Sequence, residues 1–151
     1  MSERYFEDFR VGDRFRSADL KVVESEIMDY ARRYDPQPFH TDPAAARQTF
    51  FGGLVASGWY TAAITMRLIA QSDIHIAGGM IGMGVDQLRW PRPVRPGDTL
   101  HVEAEVIEVR PSRSRPERGI VRVRNTTLNQ NGETVQTMET SLFVPRRKGG
   151  A

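Results

Sequence analysis

Ser57-Gly-Trp-Tyr-Thr-Ala-Ala-Ile-Thr-Met-Arg-Leu-Ile-Ala-Gln71 is apolar around most of its circumference and carries one charge, Arg67. A helix with that pattern belongs inside a protein, because no polar face is left for water. The chain downstream of this helix reads entirely as strand. Residues 81–90 form one run, stopped by Pro91 and Pro93, and Pro96-Gly97-Asp98 is a turn. Leu100, Val102, Ala104 and Val106 alternate with polar residues as a half-buried strand, and the phase slips at Val106-Ile107, which predicts a bulge. Residues 119–129 and 133–144 are two further strands, joined through Asn131-Gly132, a hairpin signal.

Upstream of the buried helix, residues 14–22 read as a short strand. Ile27, Tyr30, Ala31 and Tyr34 recur at helical spacing within 24–34, and Pro36 and Pro38 stop that helix. Asp42-Pro43 opens another helix as N-cap and first residue, closed by Gly52-Gly53. One strand, a helical stretch with one buried helix, then four antiparallel strands give an α+β fold, an antiparallel sheet wrapped around one central helix. A doubly wound nucleotide fold, which alternates strand and helix, is disfavoured.

The 151 residues fit one domain, 1–151, with its core over about 8–145 and a frayed tail from Arg146. Val, Ile, Leu and Phe number 35, enough for a core at a net charge of +2. With no cysteine there is no disulfide, thiolate metal site or cysteine nucleophile, and three histidines make a protein-built metal site improbable. No apolar run has the length of a membrane span and no signal peptide is visible, so the expected compartment is the cytoplasm. Residues 76–151 carry 12 basic and 8 acidic groups, too mild for a nucleic-acid binder but suited to a ligand with a few phosphates.

Two segments carry chemistry. In Tyr34-Asp-Pro-Gln-Pro-Phe-His-Thr-Asp-Pro43, two prolines bracket Gln37 between Asp35 and His40. Prolines fix φ, so this short chain can hold a carboxylate and an imidazole at a set separation, able to share a bound water. The pattern alone is met equally if Asp35 caps a turn and His40 packs a loop. In Phe50-Phe-Gly-Gly-Leu-Val-Ala-Ser-Gly-Trp-Tyr-Thr61, Gly58 opens the buried helix, where a free N–H can face negative charge on a thioester oxygen. Turn geometry and close packing explain these glycines as well. Ser57 lacks a nucleophile-elbow context.

Asp35-Pro-Gln-Pro-Phe-His40-x-Asp42, with Gly58 eighteen residues after His40 and Trp90-Pro-Arg-Pro-Val-Arg-Pro-Gly-Asp-Thr-Leu100 further on, resembles the MaoC-like dehydratases. These are hot-dog proteins that include the (R)-specific enoyl-CoA hydratases. The resemblance covers about 8–145. It implies that Asp35 and His40 hold the hydrating water, that Gly58 donates to the thioester carbonyl, and that trans-2-enoyl-CoA and (R)-3-hydroxyacyl-CoA interconvert without a cofactor. It also implies a homodimer, with two sheets joined edge to edge and an acyl tunnel between the copies. Gln37 stands where the family's hydratases commonly have Asn. Gln37, Phe39, Ser57, Trp59 and Arg89 are the candidate substrate contacts. Phe50, Phe51, Tyr60 and Met66 are nearby bulky groups, and Arg92, Arg95, Arg110, Arg113, Arg115 and Arg118 are further candidates for coenzyme A phosphates. Apolar walls around Asp35 are expected to push its pKa upward. The alternatives are an acyl-CoA thioesterase on the same fold and a non-catalytic module for an acyl chain or another small ligand.

Overall fold

Inward-facing Val102, Ala104 and Val106 on one strand meet Val121 and Val123 on the next and Met138 and Leu142 on a third, and this apolar floor is what the central helix packs on. The computed structural model describes residues 2–149. A 3-10 turn at Phe6–Asp8 leads to β1 (Arg14–Arg16) and β2 (Leu20–Lys21), then α1 (Glu24–Tyr34), α2 (Pro38–Thr41), α3 (Pro43–Ala46) and α4 (Gly58–Ala70). The chain finishes with β3 (Gly82–Arg89), β4 (Thr99–Pro111), β5 (Arg118–Leu128) and β6 (Thr134–Pro145). The sheet order is β1-β4-β5-β6-β3, antiparallel throughout, with β2 also on β4. The fold is α+β and a single domain.

The sequence signals map onto specific devices. The register slips between Val106 and Glu108, where the alternation breaks. Arg95-Pro96-Gly97-Asp98 closes with an Asp98 N–H to Arg95 carbonyl bond of 3.1 Å, and Gly97 takes φ +86° as that turn requires. Asp42 caps α3 by accepting from the amides of Ala44 and Ala45. On the sheet's outer face Arg122 meets Glu139 at 2.6 Å across β5 and β6, a cross-strand pair of opposite charge.

Three expectations change. Residues 14–22 split into two short strands, because the backbone turns at Ser17, whose hydroxyl accepts from the Val102 amide. The helix opened by Asp42 ends at Ala46 rather than at Gly52-Gly53; at the start of the tail Arg147 grips Asp8 bidentately at 2.7 and 2.8 Å and the Arg146 amide donates to the Glu117 carbonyl. Gly150 and Ala151, the rest of that tail, lie outside the described residues. Finally, α4 is enclosed on one side only. Ile64, Leu68 and Ile69 are buried, whereas Trp59, Ala63, Met66, Arg67 and Ala70 face outward. The sheet of one chain covers one face of this helix and leaves an apolar face over.

Candidate active site

The end of α1 and the start of α4 meet, and the site is built where they do. Tyr60 of α4 donates to the Glu26 carboxylate of α1 at 3.3 Å; its burial and that neighbouring charge push the phenol up to about 12, so it stays a donor. Asp35 terminates α1. Pro36 cannot continue a helix, and the chain re-enters a single turn, α2, with Pro38 at its first position. That turn aims His40 inward. The expected stiff loop is therefore a proline-initiated helical turn, and His40 is 6% exposed.

One nitrogen of the imidazole is committed. His40 Nδ1 stands 2.6 Å from the Val55 carbonyl, and a carbonyl only accepts, so Nδ1 carries a proton. Proton exchange is left to Nε2, which faces Asp35 Oδ2 at 3.4 Å. That is longer than a charge-assisted hydrogen bond of about 2.7–2.9 Å. The edge of the Phe39 ring packs on the imidazole with centroids 4.5 Å apart.

Asp35 is held on both oxygens. Ser57 Oγ–H donates to Oδ2 at 2.7 Å and Gln37 Nε2–H donates to Oδ1 at 2.9 Å. Burial pushes the carboxyl up, but these two bonds and nearby His40 outweigh it and hold the group below its ordinary range. The expected upward shift is thus reversed, because donors rather than apolar walls surround the carboxylate. Ser57 also accepts from the Trp59 amide at 3.2 Å, so one hydroxyl caps α4 and fixes Asp35.

A cavity of about 320 Å³ opens onto His40, lined by Phe39, His40, Phe51, Gly58, Thr61 and Trp90, with Phe50 and Arg92 also on its wall. The Gly58 amide, first in α4, has no intrahelical acceptor. Trp90 lies so close that a Cβ on Gly58 would stand 2.5–2.8 Å from its indole. The motif's spacing gives no sign of this contact, in which a side chain from just past the end of β3 folds back over α4.

The remaining candidates are placed differently. Ser57 is fully enclosed and committed to Asp35 and the helix cap; Gln37 is committed to Asp35. Trp59 is exposed on the outer face of α4, edge-on to Trp90. Tyr60 and Met66 are not on the wall of this cavity. Arg89 donates to Gln87 on its own strand, Arg95 to the Phe51 carbonyl, and Arg92 pairs with Glu133 at 3.0 Å. Arg110 pairs with Glu108, and Arg118 donates to the Phe143 carbonyl. Arg118 lies nine residues along β5 from Thr127, about 30 Å from the end nearest the cavity.

Ser57→Ala tests the hydrogen bonding directly. Losing that donor raises the Asp35 pKa from a position below the usual value of about 3.9, so the acid limb of any kcat/KM profile that depends on this carboxylate moves to higher pH. The lost cap costs about 1 kcal/mol of stability. A limb that stays in place across a pH-rate series would mean that Ser57 does not tune the carboxylate.

Residues 8–129 match the MaoC like domain family. A MaoC-like dehydratase structure from Rhodospirillum rubrum is 53% identical and superimposes with a TM-score of 0.91, covering 95% of this chain and 98% of that one. An R-hydratase from Pseudomonas aeruginosa is 29% identical with a TM-score of 0.77, over 95% of this chain and 86% of that one. A 3-hydroxybutyryl-CoA dehydratase from Methylorubrum extorquens is 28% identical over 150 residues, covering 95% of this chain and 86% of the relative. The fold shared with these proteins is the hot-dog fold.

Proposed function

Because the chain belongs to the MaoC-like domain family, we propose that it interconverts trans-2-enoyl-CoA and (R)-3-hydroxyacyl-CoA, with Asp35 and His40 as its acid–base pair. The observation that carries this is the His40 geometry: Nδ1 is occupied by the Val55 carbonyl, so Nε2 alone can pass a proton, and it faces an ionised carboxylate beside the Gly58 amide.

Those atoms support the following order of events. Water lies against Asp35. As its oxygen bonds to Cβ, its proton goes to the carboxylate. The π electrons of the Cα–Cβ bond move toward the thioester carbonyl, whose developing negative charge meets the Gly58 N–H at the positive end of α4. The Cα carbon takes the proton of His40 Nε2–H, and the proton on Asp35 crosses to Nε2 to restore the starting state. Dehydration runs the same path backwards. Ser57 is no nucleophile in this scheme, since its hydroxyl is enclosed and donates to Asp35. Arg92, on the cavity wall, is the arginine suited to meet a coenzyme A phosphate.

The assay is the loss of enoyl-thioester absorbance with crotonyl-CoA, together with a free-thiol measurement. Hydration bleaches the absorbance and releases no thiol. Thiol release would move the reading to a thioesterase, and saturable binding with neither change would move it to a binding module.

The working unit is a homodimer in this reading. β3 ends the sheet with a free edge, and Ile81, Met83 and Val85 there, with Trp59 and Met66 on α4, form an exposed apolar surface. A second copy pairing along β3 would continue the sheet and cover the outer face of α4. Sedimentation equilibrium is expected to give twice the chain mass, and Val85→Arg is expected to give monomer with little activity. A wild-type monomer that retains full hydratase activity would exclude this arrangement.

A further inference from the structure

Two cavities border α4. One is the catalytic cavity. The second, about 360 Å³, is lined by Met66, Ile69, Met80, Met83, Val123 and Met138 among others. Three polar side chains stand between the residues that line one and those that line the other. On α4, Thr61 is on the catalytic cavity and Ile69 on the second, and Thr65 lies midway on the same face. On β5, Val123 and Asn125 are on the second cavity, and Thr127 is the next inward residue. On β6, Met138 is on the second cavity, and Gln136 is the next inward residue.

These three side chains are bonded to one another. Gln136 Nε2–H donates to Thr65 Oγ1 at 3.1 Å, and the hydroxyls of Thr65 and Thr127 are 2.7 Å apart. Thr127 and Gln136 are cross-strand partners, so the sheet register holds them side by side. On the catalytic side, Trp90 Nε1–H donates to Gln136 Oε1 at 2.8 Å, and its indole lies over Gly58. Thr65, Thr127 and Gln136 are all at most 1% exposed. An amide and two hydroxyls are unfavourable in an apolar interior unless they satisfy one another, and here they do so as a closed set.

We propose that Thr65, Thr127 and Gln136, with Trp90 as their outer plate, form a belt that ends the acyl pocket and restricts the protein to short-chain enoyl thioesters. The proposal rests on the hydratase reading and names its substrate class. Thr65 lies one helical turn from Thr61, a rise of about 6 Å, which is the reach of a few carbons. A longer chain has to part at least one of these buried bonds and leave its groups without partners, and an alkyl tail offers no replacement. Gln136 and Thr65 act as positioning residues: they hold Trp90 and the belt, and they do not touch the reacting atoms.

The test is the ratio of kcat/KM for 2-octenoyl-CoA to that for crotonyl-CoA, a quantity that general destabilisation does not move. Wild-type protein is expected to favour crotonyl-CoA by about tenfold or more, a difference of roughly 1.4 kcal/mol in transition-state binding. Gln136→Ala removes the centre of the belt and is expected to raise the ratio about tenfold. Trp90→Phe keeps a ring over Gly58 but removes the Nε1–H, and is expected to raise it in the same direction; it serves if the first variant does not fold. A wild type that uses both substrates equally overturns the belt and leaves the hydratase reading standing. So does a ratio that neither folded variant changes. A wild type that hydrates no enoyl thioester fails at the earlier reading, and the belt's role fails with it.

Discussion

On the proposed hydratase reading, Asp35→Asn is expected to lower kcat/KM for crotonyl-CoA hydration by about 10²–10⁴-fold while the protein stays folded, the range expected when a positioned acid–base group is lost. The amide has the carboxylate's shape, and its oxygen can still accept from Ser57. Its nitrogen cannot take a proton from water. His40→Gln is expected to fall by a similar factor, since Nε2 is the imidazole's only exchangeable position while Nδ1 is held by the Val55 carbonyl. The two losses do not add. Once one half of a proton relay is gone the other has nothing to exchange with, so the double variant is expected near the slower single one. Initial rates of enoyl-thioester bleaching, with thermal unfolding measured alongside, decide the matter. A folded Asp35→Asn protein working at the wild-type rate would place the base elsewhere.

Gly58→Ala is the second large effect, and its cause differs. The variant keeps the N–H that the proposed reaction aims at the thioester oxygen. A methyl group, however, would stand 2.5–2.8 Å from three atoms of the Trp90 indole, where carbon atoms do not rest. Either the start of α4 moves, displacing the amide, or Trp90 swings out and leaves Gln136 without its donor. The expected result is a fall in kcat/KM of about 10²-fold, comparable to losing an oxyanion donor, with about 1–3 kcal/mol of destabilisation from overpacking. Pairing Gly58→Ala with Trp90→Ala separates the two routes. If relieving the clash restores stability but not rate, Trp90 is itself part of the pocket; if it restores both, the amide was displaced by crowding. A Gly58→Ala protein with normal rate and stability contradicts the close packing altogether.

The helices and strands were legible because their signals are local. Ile27 and Ala31 recur at helical spacing and are buried, and the break in alternation at Val106 became a change of register. The reach of the catalytic segment was legible only in part. Asp35 and His40 lie five positions apart, so their proximity could be read directly. The groups that tune them could not: the Val55 carbonyl is backbone and carries no side-chain signal, and Ser57 is 22 residues from Asp35. The direction of the Asp35 pKa shift failed for the same reason, since it depends on donors brought in by folding. Charge says nothing about register, and Arg118 sits at the far end of β5 from Thr127. The outer face of α4 shows a different limit. An apolar pattern all round a helix states that both sides want covering, without stating whether one chain supplies both covers.

The chain has two tryptophans, and they stand edge to face with centroids 5.2 Å apart. Trp90 covers Gly58 and Trp59 lies on the outward side of α4, so the entire indole emission of the protein originates at one spot beside the candidate site. Fluorescence therefore offers an unlabelled binding titration: an occupant reaching Gly58 alters the surroundings of Trp90, and burial of the outer face of α4 alters those of Trp59. The two single-tryptophan variants would separate these signals, giving site occupancy from one and subunit association from the other on the same sample.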